Sequence, residues 1–169
     1  MWIGESFVGD GPNAAHVNTV LGGRDGPVGA AWATGLATPS AGHAPFMVVL
    51  APDMPVQPPT LFVNKAAIAS DRHGELTWGA AQAGVADGVM DALRAGTIPR
   101  ATVGSLVLIV AVWVNPAADD ATAVHANNRT ATARALVAGP RPPRRSTPSS
   151  RSATPATRTS GRRARRQVP

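Results

Sequence analysis

The sequence predicts an α+β domain: a two-layer sandwich with helices packed on one sheet. Three observations carry that reading. Short stretches patterned with period two are interspersed with longer ones whose apolar residues recur at helical spacing. Two strand-like segments, 46–51 and 60–67, follow one another across a proline-rich connection, so strands and helices are mixed rather than strictly alternating. The longest apolar run, Leu106–Val114, suits the central strand.

The elements follow in chain order. Gly9-Asp10-Gly11-Pro12 is strong turn chemistry, because glycine tolerates positive φ and proline fixes its own. The strand after it points Ala15, Val17, Thr19 and Leu21 to one side and Ala14, His16, Asn18 and Val20 to the other. Gly22-Gly23-Arg24-Asp25-Gly26 makes a second turn, and Pro27 suits the first turn of a helix over 28–37 with Trp32 and Leu36 as an apolar pair. Residues 46–51 read as a buried strand. Pro52, Pro55, Pro58 and Pro59 keep the next connection extended.

In the strand 60–67, Leu61, Val63, Lys65 and Ala67 share one face, and Phe62, Asn64 and Ala66 the other. A helix follows over 77–95 and is closed by Gly96; Trp78, Gln82, Val85, Val89 and Leu93 form its apolar stripe. Gln82 is the polar exception, and a buried amide must either hydrogen-bond the core or line a site. After the strand 105–114, Asn115-Pro116 provides an N-cap and a first-turn proline for a last helix running to about Ala138. The expected domain is 1–139. The remainder, 140–169, is Arg, Pro, Ser and Thr with little apolar surface, and is expected to be a disordered basic tail.

Charge divides along the same boundary. The net charge of +6 hides nine arginines in the tail, against seven basic and ten acidic groups in 1–139, a net of −3. Overall basicity is therefore no argument that the domain binds nucleic acid; the tail alone could attract it, non-specifically. There is no cysteine, which excludes disulfides, thiolate zinc sites and cysteine nucleophiles. The opening residues lack the basic and apolar regions of a secretory signal, and no apolar run approaches the roughly 20 residues of a membrane helix. A cytoplasmic location is the expectation.

His16, His43, His73 and His125 show no metal-ligand spacing, so no metal is expected. His16 and Asn18 are neighbours on one strand face at the mouth of the first turn; the plain alternative is a hydrogen-bonded histidine at a strand end. Lys65 is the one lysine in a chain whose other fifteen basic residues are arginine. A compact, tunable ammonium there suits a ligand carbonyl or carboxylate, and the plain alternative is an ordinary strand-end lysine.

Five segments together resemble the formaldehyde-activating enzyme family, the tetrahydromethanopterin hydro-lyases. They are Gly9-Asp10-Gly11 with Ala15-His16, Ala51-Pro52 with Pro55, Thr60-Leu61 with Asn64-Lys65, Ala81 to Ala86, and Ala117 to Ala121. The resemblance spans about Ile3 to Gly139. It implies a fold like the second domain of ribosomal protein S5, a homopentamer with active sites between subunits, and condensation of formaldehyde with tetrahydromethanopterin or a related pterin. It also implies that His16 is the proton donor and that Asn18, Met47, Lys65, Ala67 and Gln82 occupy pterin-binding positions. The chain departs from the family where Asn18 stands for the usual Asp, Ala67 for Thr and Met47 for Leu. Asn18 loses a charge and Ala67 a hydroxyl, so a second reading is a non-catalytic paralogue that binds a pterin or formaldehyde as a sensor or regulator.

Overall fold

The computed structural model describes residues 1–138. The expected boundary at 139 and the basic tail lie outside the described residues. The described chain forms strands β1 (Trp2–Val8), β2 (Ala15–Gly23), β3 (Phe46–Met47), β4 (Val49–Ala51), β5 (Met54–Pro55), β6 (Thr60–Asn64) and β7 (Leu106–Val114). Its helices are α1 (Pro27–Ala37), α2 (Asp71–Glu75), α3 (Gln82–Arg94) and α4 (Ala121–Ala138). Five strands make one mixed sheet in the order β1-β2-β7-β6-β3, in which β6 and β7 run parallel and the other neighbours antiparallel. The apolar run of β7 is the central strand, as its composition requires.

Alternation decides what each face carries. Ala15, Val17, Thr19 and Leu21 of β2 are buried, with Leu108, Val110, Val112 and Val114 of β7, beneath α3 and α4. Each such Val or Leu contributes about 1.5–3 kcal/mol on burial. The two helices touch closely, because Gly84 and Gly88 of α3 face the α4 backbone: a Cβ at Gly88 would lie 2.6 Å from the Arg129 carbonyl oxygen. The two-layer arrangement is extended on the other face by α1, whose Val28 packs over Gly22 and whose Gly35 lies against Leu61. It covers one end of that face and leaves the other end open.

Several elements differ from the sequence expectation, each for a local reason. Strand β1 inverts the pattern expected of a strand: Gly4 occupies its inward position against Ala135, and its apolar Ile3 and Phe7 point outward. The segment 46–51 is two strands, β3 on the main sheet and β4 turning back through Asp53 (φ 61°) to pair with β5. The helix expected from Thr77 begins at Asp71, capped by Ser70, and passes through a π-helical turn at Leu76–Ala81. That turn resets the helical phase, so Trp78 leaves the stripe and is 45 % exposed, whereas Val85 and Val89 remain in the core. Asn115 caps a turn through Ala117 N–H, and α4 begins only after Asp120, whose carboxylate accepts from Thr122 and Ala123 N–H.

The turn before β2 is fastened from far away. The Asn13 side-chain oxygen accepts from Asp119 and Asp120 N–H, its amide nitrogen donates to Asp119 Oδ1, and Asn127 donates to its backbone carbonyl. Among the described residues no helix is long and apolar enough to cross a membrane.

Candidate functional site

Strand register assembles the site on the open end of the sheet. Phe7, His16 and Trp113 sit side by side across β1, β2 and β7, with Lys65 continuing that row just past β6. The next row holds Glu5, Asn18, Ala111 and Val63. Lys65 N–H still bonds the Val112 carbonyl, so its side chain keeps the strand's direction. Asn64 stops the strand there: its amide donates to the carbonyls of Gly42 and Ala66, and a ring nitrogen of His43 donates to the Asn64 carbonyl. The chain is thus pinned on both sides of the lysine.

Four polar side chains form one network. Lys65 Nζ donates to Asn18 Oδ1 at 2.7 Å and to His16 Nδ1 at 3.0 Å. A lysine has no acceptor to offer as an ammonium, so Nδ1 is the accepting nitrogen and the ring proton sits on Nε2. Nε2–H then donates to Glu5 Oε1 at 2.6 Å. The hydrogen bond from His16, followed by one from Asn18, holds the Glu5 carboxyl below its ordinary range, and the imidazole and Lys65 charges add to this. Burial pushes the Lys65 ammonium below its ordinary value, against the opposing charge of Glu5. The arrangement can hold a proton between two bases and present it on a face rimmed by exposed Phe7 and Ile3.

Of the residues expected at the site, His16, Asn18 and Lys65 come together. Met47 lies on the same face but at the far edge, opposite Leu61, in a hollow of about 420 Å³ under α1 with Arg24 and Trp32. Ala67 is off the strand, because β6 ends at Asn64, and is exposed beside Gly42. Gln82 opens α3 in the opposite layer, where its Oε1 accepts from Val49 N–H at 2.8 Å. The hollow of about 380 Å³ between Pro45, Phe46 and Trp78 is apolar, and the one beside it carries Asp71 and Glu75; neither holds a titratable group of this network.

The remaining histidines serve the fold. His73 is buried, accepting from Ala69 N–H and donating to the Val114 carbonyl; His125 pairs with Asp87 between α3 and α4. Among the described residues no three His, Cys, Asp or Glu side chains converge as metal ligands. Glu5 is the residue sequence reasoning missed. Its signal was positional: counted back from the Gly9 turn, it falls opposite Asn18 on a hairpin partner of β2.

Comparison with known proteins decides the family. Residues 3–147 match the family model described as formaldehyde-activating enzyme. The chain belongs to the formaldehyde-activating enzyme family. It is 39% identical over 134 residues to the 5,6,7,8-tetrahydromethanopterin hydro-lyase of Methanosarcina barkeri, which covers 79% of this chain and 75% of that protein. It is 40% identical over 136 residues to a bifunctional enzyme Fae/Hps of Methanococcoides burtonii, and 38% over 134 residues to another from Methanosphaera stadtmanae. Those matches cover 80% and 79% of this chain but only 34% and 33% of the relatives, so the chain spans about a third of the bifunctional proteins.

Proposed function

We propose that this formaldehyde-activating enzyme family member condenses formaldehyde with tetrahydromethanopterin, or a related pterin carrier, to the 5,10-methylene derivative and water. The observation that carries the reading is His16, held between Lys65 and Glu5 with its proton on Nε2. Addition of a pterin nitrogen to formaldehyde gives a carbinolamine, whose hydroxyl must be protonated to leave. Protonated at Nδ1 by the Lys65 ammonium, His16 supplies that proton, and the Glu5 carboxylate stabilises the imidazolium until it does so. Glu5 thereby returns to the site the negative charge that Asn18 does not carry.

Lys65 and Asn18 hold polar atoms of the pterin, with Met47, Ala67 and Gln82 as its further contacts. With the Gln82 carbonyl committed to Val49, its amide nitrogen is the donor for a ligand. His16 and Gln82 stand on opposite faces of one sheet. A carrier that touches both sets therefore spans two copies of the chain, which supports a homopentamer with sites between subunits. We assign the domain, residues 1–139, to the fold of ribosomal protein S5 domain 2, place the protein in the cytoplasm with no resident metal, and treat the basic tail, 140–169, as dispensable for catalysis.

The test is the condensation rate of purified protein with formaldehyde and tetrahydromethanopterin above the uncatalysed background. His16→Ala should lose about 10²–10⁴-fold of the catalysed rate, as removal of a general acid does. Equal rates for the two proteins would remove the acid role. Saturable pterin binding without any acceleration would favour the sensor or regulator, a reading that the exposed, hydroxyl-free Ala67 supports.

A further inference from the structure

Lys65 is placed as a reactant as well as a contact. Its Nζ touches a base, His16 Nδ1, at 3.0 Å and a neutral acceptor, Asn18 Oδ1, at 2.7 Å. The base is backed on its far side by a carboxylate, Glu5 Oε1, at 2.6 Å from Nε2. An amine whose proton can pass to an imidazole, itself steadied by a carboxylate, is the arrangement that makes a lysine nucleophilic toward carbonyl carbon. Burial of the ammonium favours its loss of a proton. The two neighbouring side chains account for two of the three N–H bonds of the ammonium, and the third direction is left for an incoming carbonyl.

We propose that, in place of direct addition of the pterin to formaldehyde, Lys65 captures formaldehyde covalently and passes its carbon to the pterin as an Nζ-methylene iminium. This rests on formaldehyde being the substrate. The ammonium gives one proton along the existing bond to His16 Nδ1, leaving a free amine beside an imidazolium paired with Glu5. The Nζ lone pair attacks the carbonyl carbon, the C=O π pair moves to oxygen, and a proton shifts from nitrogen to that oxygen. The imidazolium then protonates the hydroxyl, the C–O bond breaks, water departs, and the nitrogen lone pair forms the C=N bond. His16 ends neutral, and the positive charge that began on the ammonium resides on the iminium. A pterin nitrogen attacks the methylene carbon, and closure by the second pterin nitrogen expels the lysine amine. Both pterin N–H protons pass to Nζ, one as it departs as the amine and one restoring the ammonium. No oxidant or reductant enters.

The single lysine makes the test clean. Protein and formaldehyde, without pterin, are treated with cyanoborohydride at neutral pH, and the gain of one CH2 is mapped by peptide mass spectrometry. The α-amino group is the internal reference: an ordinary lysine, about 2.5 pH units more basic, offers roughly 300-fold less free amine and is labelled later. We expect Lys65 to be labelled first, and tetrahydromethanopterin to suppress that labelling by drawing off the carbon. Lys65→Arg keeps the charge and donors but cannot form the iminium, and its catalysed condensation should fall to background while pterin binding persists. Labelling of Lys65 no faster than the α-amino group overturns the proposal, as does a folded Lys65→Arg with the full catalysed rate. Rapid labelling in a wild-type protein that does not accelerate condensation overturns the proposed function and leaves the capture standing.

Discussion

Replacing Asn18 by Asp tests the network through a quantity the structure sets. Asn18 Oδ1 lies 2.7 Å from Lys65 Nζ, so an aspartate oxygen in the same place puts a full negative charge against the ammonium. With the charges about 4 Å apart, the attraction is about 1 kcal/mol in water and about 4 kcal/mol at an effective dielectric of 20. Both side chains are only half-buried, so solvent screens the new charge toward the lower value. One pH unit corresponds to about 1.36 kcal/mol, so the Lys65 titration should move up by about one unit. The sign is fixed: a neighbouring carboxylate favours the charged ammonium, whereas burial in the native site disfavours it. The assay is competitive trace acylation across pH, read at the single lysine by mass spectrometry. Lys65 should then capture formaldehyde more slowly at neutral pH. A midpoint that moves by less than about half a unit, or moves down, would falsify the placement of residue 18 against the lysine.

Two further outcomes follow from the same geometry. Glu5→Gln keeps an oxygen for His16 Nε2–H but removes the charge that stabilises the protonated ring. The condensation rate at neutral pH should fall by less than about tenfold, as befits an exposed pair, while thermal stability stays nearly constant. At the helix interface, Gly88→Ala drives a Cβ to 2.6 Å from the Arg129 carbonyl and should cost about 1–3 kcal/mol, offset by about 1 kcal/mol of helix propensity. Gly79→Ala, which meets open space, should raise the melting temperature instead; equal shifts for both would mean that α3 and α4 are not in close contact.

Much of the fold was legible because it rests on period. The alternation in β2 placed His16 and Asn18 on the face opposite the core, and the unbroken apolar run of β7 marked the centre of the sheet. Lys65 was legible as an anomaly of composition, and Gln82 as a polar residue in an apolar stripe. What could not be read depends on pairing or on phase. Strand β1 inverts the usual pattern, with a glycine inward and Ile3 and Phe7 outward, so Glu5 acquires meaning only when the strand is set against β2. The π-helical turn shifts the register of the helix by local geometry that no residue announces, which is why Trp78 lies outside its expected stripe. Ala67 left the face because the Asn64 side chain satisfies the backbone of its own loop and ends the strand.

The clamp at Asn13 gives the protein an order of assembly. The turn that aims His16 leaves the ribosome more than a hundred residues ahead of the groups that fix it, Asp119, Asp120 and Asn127. Central strand β7, which must pair with β2, also arrives late. A nascent chain therefore carries every residue of the Glu5–His16–Lys65 network long before it can hold them in place. In the finished protein the same link makes the first turn of α4 and the entry to β2 one opening unit, so slow hydrogen exchange at the Asp119 and Asp120 amides reports on the fixity of the histidine.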